Sequence, residues 1–235
     1  DANNDGVIDF RDVDLNGDRY ITQLEIDQFG DNLNISNLNI IGWDCVLEKN
    51  IPQDQTGHGT AVAGVIAATI DNGIGIAGIA PIAKILPIRV VTPNPNGDEL
   101  FVDDLAQGIL IAMENGAKVI NMSFGDEEVD YFKAAEDEIR RAYYDEDILL
   151  VAAAGNENTS EKLYPAALDE VIAVAATDQN DTRGIWTDPG SSDDASNYGC
   201  LIDIAAPGKQ IMLTRPFGGY DNNSGTSFAT PHVSG

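Results

Sequence analysis

The chain has 235 residues, of which 43% are hydrophobic, and this is enough for one substantial globular core. Its 39 acidic and 13 basic residues give a formal net charge of −26, which disfavours nucleic acid and anionic lipid as partners and favours divalent cations. No apolar run approaches the roughly 18 residues of a membrane span, so the sequence predicts no membrane partner.

The first 31 residues are rich in Asp and Asn and differ in composition from the rest of the chain. Residues 1–12 match a 12-residue calcium loop, and residues 14–25 match it again, although Arg19 replaces the usual turn glycine. We interpret both as calcium-binding loops; the alternative is a solvated acidic surface. The candidate oxygen ligands are Asp1, Asn3, Asp5, Asp9, Asp12, Asp14, Asn16, Asp18, Thr22 and Glu25.

From about residue 57 onward, helical and strand patterns alternate. Helices are predicted over residues 57–70, 101–116 and 129–147, and short apolar stretches predict strands within 83–91, 118–125, 148–156, 171–177 and 201–208. Continuously apolar strands between helices predict a parallel sheet covered on both faces. The fold class is therefore α/β, with functional groups expected beyond the carboxyl ends of the strands.

The segment SGTSFATPHVSG, residues 224–235, places Ser227 at the start of a predicted helix, where a serine is either a nucleophile or an ordinary N-cap. Of the two histidines in the chain, His232 follows on the same helix and is turned away from Ser227, so we interpret it as structural. His58 begins its own helix, whose positive end helps to keep an imidazole neutral. His58 is the candidate base, although a lone histidine is more often structural.

Asn156 follows VAAAG at the end of a predicted buried strand. A side-chain amide at that place can donate to a developing oxyanion, and the alternative is a turn residue after Gly155. Cys45 and Cys200 either form one long-range disulfide or remain two buried thiols, and the sequence leaves both open.

Four blocks occur in order, each at the edge of a predicted element: TGHGTAVAGVIAA, KVINMSFG, VAAAGNEN and SGTSFATPHVSG. With them the sequence resembles the subtilisin-like serine proteases, the subtilases, over roughly residues 40–235. The resemblance implies a three-layer α/β fold and hydrolysis of peptide bonds through an acyl-enzyme. It implies that His58 is the general base and then the general acid, that Ser227 is the nucleophile, and that Asn156 shares an oxyanion hole with the Ser227 N–H. It also implies a substrate cleft lined by Ser123, Phe124, Gly125, Ala153, Ala154 and Gly155.

The sequence departs from the family at the third member of the triad. The family carries Asp, then Thr or Ser, then Gly, some thirty or more residues before the histidine, and no such segment occurs here. Asp44 follows apolar residues, but Cys45 comes next and His58 is too close in sequence. We expect that the orienting Asp belongs to a missing N-terminal part, that both ends are cut inside the domain, and that this fragment alone is poorly active, by about 10⁴-fold.

The resemblance also indicates a calcium loop at IDNGIGIAG, with the side chain of Asn72 and the carbonyls of Ile70, Ile74 and Ile76 as ligands. We expect two parts, an acidic calcium-loop segment at 1–31 and a peptidase domain at 32–235. The overall prediction is a secreted, monomeric, calcium-stabilised serine endopeptidase that acts on proteins or peptides.

Two rival functions remain at this point. An inactive pseudoprotease or calcium-dependent binding module on the same fold would explain the missing Asp. An α/β-hydrolase esterase would require G-x-S-x-G around its nucleophile, and neither NMSFG nor GTSFA fits that pattern.

Overall fold

The computed structural model describes residues 42–50, 52–92, 99–100, 102–127, 129–186 and 194–235, which belong to one compact unit, Gly42–Gly235. The acidic loops predicted within residues 1–31 lie outside the described residues, so the calcium ligands proposed there stay predictions.

The described part of the chain contains four helices and ten short strands. The helices are α1 (His58–Ala67), α2 (Val102–Glu114), α3 (Val129–Tyr144) and α4 (Thr226–Ser234). The strands are β1 (Trp43–Asp44), β2 (Ile88–Arg89), β3 (Val91–Thr92), β4 (Glu99–Leu100), β5 (Val119–Met122), β6 (Leu149–Ala153), β7 (Val171–Thr177), β8 (Ile204–Pro207), β9 (Ile211–Thr214) and β10 (Tyr220–Asn223).

The central element is a four-stranded parallel sheet in the order β5-β6-β7-β8. Its register aligns Met122 with Ala152, and Ala153 with Val174, so the carboxyl ends of β5 and β6 lie side by side. Strands β1 and β2 form a second parallel pair, while β3–β4 and β9–β10 are antiparallel pairs.

Alternating side chains of the sheet serve two different cores, as the period of two in a β-strand requires. Leu150 and Ala152 of β6 pack with Ile109 of α2 and Ile139 of α3 on one face. Val151 of the same strand packs on the other face, in a cluster with Ala229 of α4. The described domain therefore has three layers, and the prediction of a mostly parallel sheet flanked by helices is confirmed.

The helices predicted from the sequence end two or three residues earlier in the structure, α2 at Glu114 and α3 at Tyr144. Helix α1 ends at Ala67 instead of reaching residue 70, because Ala68 adopts an extended conformation with ψ 137° while its N–H still bonds Gly64. The strand predicted over 83–91 is regular only at 88–89 and 91–92. Pro87, which lacks an N–H, directly precedes the first regular residue. None of the helices in the described ranges is long and apolar enough to cross a membrane.

Candidate active site

The candidate catalytic residues lie where three elements meet. Strand β5 runs into residues 123–125, strand β6 runs into residues 154–156, and α4 begins beside both. The backbone N–H of Gly155 donates to Thr226 Oγ1 at 3.1 Å, which ties the end of β6 to the start of α4. The sheet thus brings together segments that lie more than 70 residues apart in the chain.

Asn156 is held by its side-chain oxygen. Oδ1 accepts hydrogen bonds from the Thr226 N–H at 2.9 Å and from the Thr226 hydroxyl at 3.1 Å. Because both acceptor positions of the oxygen are engaged, the amide can turn only its Nδ2 toward the cleft. No atom of the described residues accepts a hydrogen bond from that Nδ2, so it can donate to a ligand.

Ser227 is the second residue of α4, and its backbone N–H is one of the donors that a helix start leaves without an intrahelical partner. Within the described ranges this N–H has no protein acceptor. The Ser227 hydroxyl donates to the Ser123 carbonyl at 3.1 Å, and the Ser123 hydroxyl donates to the Ser227 carbonyl at 2.8 Å. A hydroxyl and two open N–H donors therefore lie at one place, as attack on a carbonyl requires.

His58 is the first residue of α1 and is partly buried. Its ring lies against the ring of Phe228, with centroids 5.8 Å apart, and this contact places it beside the first turn of α4. His232, the other histidine, bonds the Phe228 carbonyl through Nδ1 at 2.8 Å, within its own helix. This contact fits the structural role predicted for His232.

The start of α1 is fixed by Asp54, which sequence reasoning did not identify. Its carboxylate accepts from the Gly57 N–H and from the Thr60 N–H, both at 2.7 Å, and from the Thr60 hydroxyl at 2.6 Å. Burial acts to raise the pKa of the Asp54 carboxyl. The hydrogen bonds from Thr60, Gly57 and Thr56 outweigh that effect, so the pKa lies below its usual range. An anionic cap at this place also complements the positive end of the helix that carries His58.

Asn197 is a second residue that the sequence did not reveal. It is only 3% exposed, and its Nδ2 donates to the Ala154 carbonyl at 2.9 Å and to Glu157 Oε2 at 2.8 Å. Its Oδ1 accepts from the backbone N–H groups of Glu157 at 3.0 Å and Thr159 at 3.1 Å. All of these bonds converge on the loop that carries Asn156, so Asn197 acts as its clamp.

The two glycines predicted to line the cleft face a common side chain, Leu163. A Cβ added to Gly125 would lie 2.5 Å from Leu163 Cδ2, and one added to Gly155 would lie 3.0 Å from the same atom. Gly155 also has φ +102°, a conformation that favours glycine. Leu163 is 8% exposed and closes the space between the two backbone segments. Leu163 therefore lies against both glycines of the predicted cleft.

Asp44, weighed and rejected in the sequence as a triad member, has a structural role. It is fully buried and its Oδ2 lies 2.9 Å from Arg89 NH1, while Oδ1 accepts from the Leu47 N–H at 3.0 Å.

The predicted loop at Asn72 does not gather a set of charged ligands. Asn72 Oδ1 accepts from the Ile74 N–H at 3.0 Å, and no group of three His, Cys, Asp or Glu side chains that could hold a metal occurs within the described residues. The predicted ligands, the Asn72 side chain and the carbonyls of Ile70, Ile74 and Ile76, are not of these types, so the calcium loop stays a prediction.

The two cysteines are free, so the disulfide alternative is wrong, and of the two thiols only Cys45 is buried. Cys45 is buried, and burial, reinforced by the negative charges of Asp104 and Asp44, raises its pKa to about 12. Cys200 is exposed, because it lies in a turn ahead of β8.

A serine and a histidine on facing helices, with amide donors at the carboxyl end of a parallel sheet, are typical of the serine hydrolases. The family model of the subtilase family, peptidase S8, matches residues 8–235. The chain belongs to the subtilase family, and the resemblance predicted from its four sequence blocks is confirmed.

Relatives and solved structures agree with this assignment. Thermitase of Thermoactinomyces vulgaris is 41% identical over 197 residues, covering 83% of this chain and 64% of that protein. Subtilisin BL of Lederbergia lenta is 38% identical over 183 residues, covering 78% of this chain and 62% of that protein. The structure of a cold-adapted subtilisin-like serine proteinase matches with a TM-score of 0.67 and 32% identity, covering 83% of this chain and 64% of that one. The structure of the prenylagaramide maturation protease PagA matches with a TM-score of 0.64 and 36% identity, covering 76% of this chain and 61% of that one. The chain spans less than two thirds of the length of each of these proteins.

Proposed function

We propose that the protein to which this chain belongs is a serine endopeptidase that hydrolyses peptide bonds through an acyl-enzyme. The observation that carries the proposal is the convergence of the Ser227 hydroxyl, the Ser227 N–H and the Asn156 amide at the start of α4. Two N–H donors next to a hydroxyl suit a tetrahedral oxyanion formed on attack by that hydroxyl. Membership of the subtilase family supports the same reaction.

In the proposed mechanism the Ser227 hydroxyl leaves the Ser123 carbonyl and attacks the scissile carbonyl carbon, while His58 takes its proton. The oxyanion accepts from Asn156 Nδ2 and the Ser227 N–H. His58 then gives the proton to the leaving amine as the carbon–nitrogen bond breaks, and water hydrolyses the acyl-enzyme with His58 again acting as the base. Residues 123–125 and 153–155 would hold the substrate as an added strand.

Calcium, secretion and a monomeric state belong to this proposal. The carboxylate and amide pattern of residues 1–25 and the loop at Asn72 support calcium, which would stabilise the fold and take no part in the chemical steps. Two features disfavour nucleic acid as a partner: the net charge of −26, and the engagement of Arg140, part of the one Arg-Arg pair, by Glu136 at 2.6 Å and Glu170 at 3.2 Å. We propose protein or peptide substrates.

The experiment is labelling of the purified full-length protein to which this chain belongs with a fluorophosphonate probe, with and without calcium. Ser227→Ala should abolish labelling, whereas Ser160→Ala, an exposed serine of the same chemistry, should leave it unchanged. Calcium-dependent labelling would tie the acidic loops to the working enzyme. A folded, calcium-loaded protein that does not label would overturn the proposal and favour the binding module.

A further inference from the structure

The carbonyl of Ser227 lacks the partner that a helix normally provides. In an α-helix that carbonyl accepts from the N–H four residues later, but residue 231 is a proline and has no N–H. The neighbouring carbonyl of Thr226, by contrast, accepts from a residue of the same helix, the Thr230 hydroxyl at 2.8 Å. At Ser227 the helix therefore leaves one acceptor to be satisfied from outside.

The Ser123 hydroxyl satisfies it. Ser123 follows β5, is 6% exposed, and donates to the Ser227 carbonyl at 2.8 Å across 104 residues of sequence. Its hydroxyl proton is directed by a relay, in which Ser234 donates to Asn121 Oδ1 at 2.8 Å and Asn121 Nδ2 donates to Ser123 Oγ at 2.9 Å. Because Ser123 Oγ accepts from Asn121, its single proton remains for the Ser227 carbonyl.

The consequence is that residue 227 is held on both sides. The preceding residue is fixed by the Thr226 N–H to Asn156 Oδ1, and the Ser227 carbonyl is fixed by Ser123. The N–H and the hydroxyl of Ser227 lie between these two anchors. We infer that Ser123 is a positioning residue, whose hydroxyl replaces the N–H that Pro231 lacks and so aims the Ser227 nucleophile and oxyanion donor. This inference rests on the proposed function.

Because the Ser123 hydroxyl stands in for the N–H that Pro231 lacks, restoring that N–H should rescue the loss of the hydroxyl. Ser123→Ala removes the hydroxyl and should lower the rate of fluorophosphonate labelling about tenfold, because the freed carbonyl allows the first turn of α4 to shift. Pro231→Ala supplies an N–H to the same carbonyl. The double variant should therefore label within about threefold of the parent. Ser160→Ala serves as the control for loss of an exposed hydroxyl.

Labelling is measured at 20 °C, where every variant is confirmed as folded by near-ultraviolet circular dichroism, so that a change in rate does not report an unfolded fraction. Thermal unfolding of the parent, the two single variants Ser123→Ala and Pro231→Ala, and the double variant gives a second, independent cycle. Ser123→Ala should lower the Tm by about 4 °C, and adding Pro231→Ala should recover at least half of that loss.

Equal labelling rates for the parent and Ser123→Ala, or no rescue by Pro231→Ala in either cycle, would overturn the inference. If the parent protein itself does not label, the proposed function fails, while rescue in the thermal cycle alone still decides whether Ser123 replaces the helical donor. If the parent does not label but the thermal cycle shows rescue, the inference that Ser123 positions a nucleophile is overturned, and its bond to the Ser227 carbonyl is structural.

Discussion

Asn197→Asp isolates the clamp on the oxyanion loop with almost no change of side-chain volume. The replacement removes both N–H donors of the amide, so the Ala154 carbonyl, on a residue that is 5% exposed, loses its partner at 2.9 Å. An unsatisfied buried acceptor costs about 1–3 kcal/mol. The new carboxylate also faces Glu157 Oε2, which the amide bonded at 2.8 Å. Together we expect a loss of about 2–4 kcal/mol in the free energy of unfolding at pH 8.

The pH dependence has a definite sign. We expect burial and the neighbouring Glu157 carboxylate to outweigh the two backbone N–H groups that donate to Oδ1, and so to raise the pKa of the new carboxyl in the folded protein above its unfolded value of about 3.9. The loss in the free energy of unfolding that comes from the charge is then complete above the raised pKa. It shrinks as the pH falls toward the pKa of the unfolded chain. The difference between Asn197→Asp and the parent should accordingly be smaller at pH 5 than at pH 8.

The assay is urea unfolding at both pH values, followed by the fluorescence of Trp43 and Trp186, with fluorophosphonate labelling of the folded variant in parallel. Labelling should fall by at least tenfold, since the loop carrying Asn156 loses its clamp. Asn222→Asp adds the same charge at an exposed position and should change stability by less than about 0.5 kcal/mol. If Asn197→Asp behaves like this control, the clamp does not hold the loop and the argument is wrong.

Three further predictions follow from single contacts. Leu163→Ala should open space beside Gly125 and Gly155 in the predicted substrate cleft. We therefore expect kcat/KM for peptide anilides with Phe before the cleaved bond to rise at least tenfold relative to those with Ala. An unchanged ratio would show that Leu163 does not limit the side chain bound there. Asp54→Asn should cost about 1–2 kcal/mol at pH 7, because one carboxylate oxygen becomes an NH2 group that can no longer accept from the N–H and hydroxyl of Thr60. Because the pKa of Asp54 is lowered on folding, that difference should vanish in urea unfolding as the pH falls below the ordinary carboxyl range near 4, and a difference constant with pH would refute it. In the native protein one thiol per chain, Cys200, should react with a disulfide reagent at pH 8, and Cys45 should react only after unfolding, so two fast thiols would contradict the burial of Cys45.

The sequence predicted the framework because its signals are local. Apolar runs of five to seven residues predicted β6 and β7, and the helix predicted over 101–116 is α2, which ends at Glu114. The prediction is least accurate at element ends, as at α1, where positive φ angles at Asp71 and Gly73 follow the helix.

The supporting residues of the site could not be predicted in the same way. Asn197 and Leu163 act on Gly155 from segments that no local pattern connects to it, and their residue types are unremarkable in a loop. Thr226 stands beside Ser227 in the sequence, but its role depends on Asn156, 70 residues away. The exposure of Cys200 likewise depends on a turn that tertiary packing determines.

The site of this domain is assembled from contacts between segments remote in sequence. The Asn156–Thr226 bonds span 70 residues and the Ser123–Ser227 bonds span 104. Contacts of such high contact order form only after much of the chain entropy has been lost, because loop closure must be offset first. We therefore expect probe labelling to lag behind the recovery of tryptophan fluorescence during refolding, and simultaneous recovery would contradict this order. A partly folded chain would then hold its serine and histidine in an inactive arrangement. Under the proposed function, proteolytic capacity would arise only once the chain had become compact.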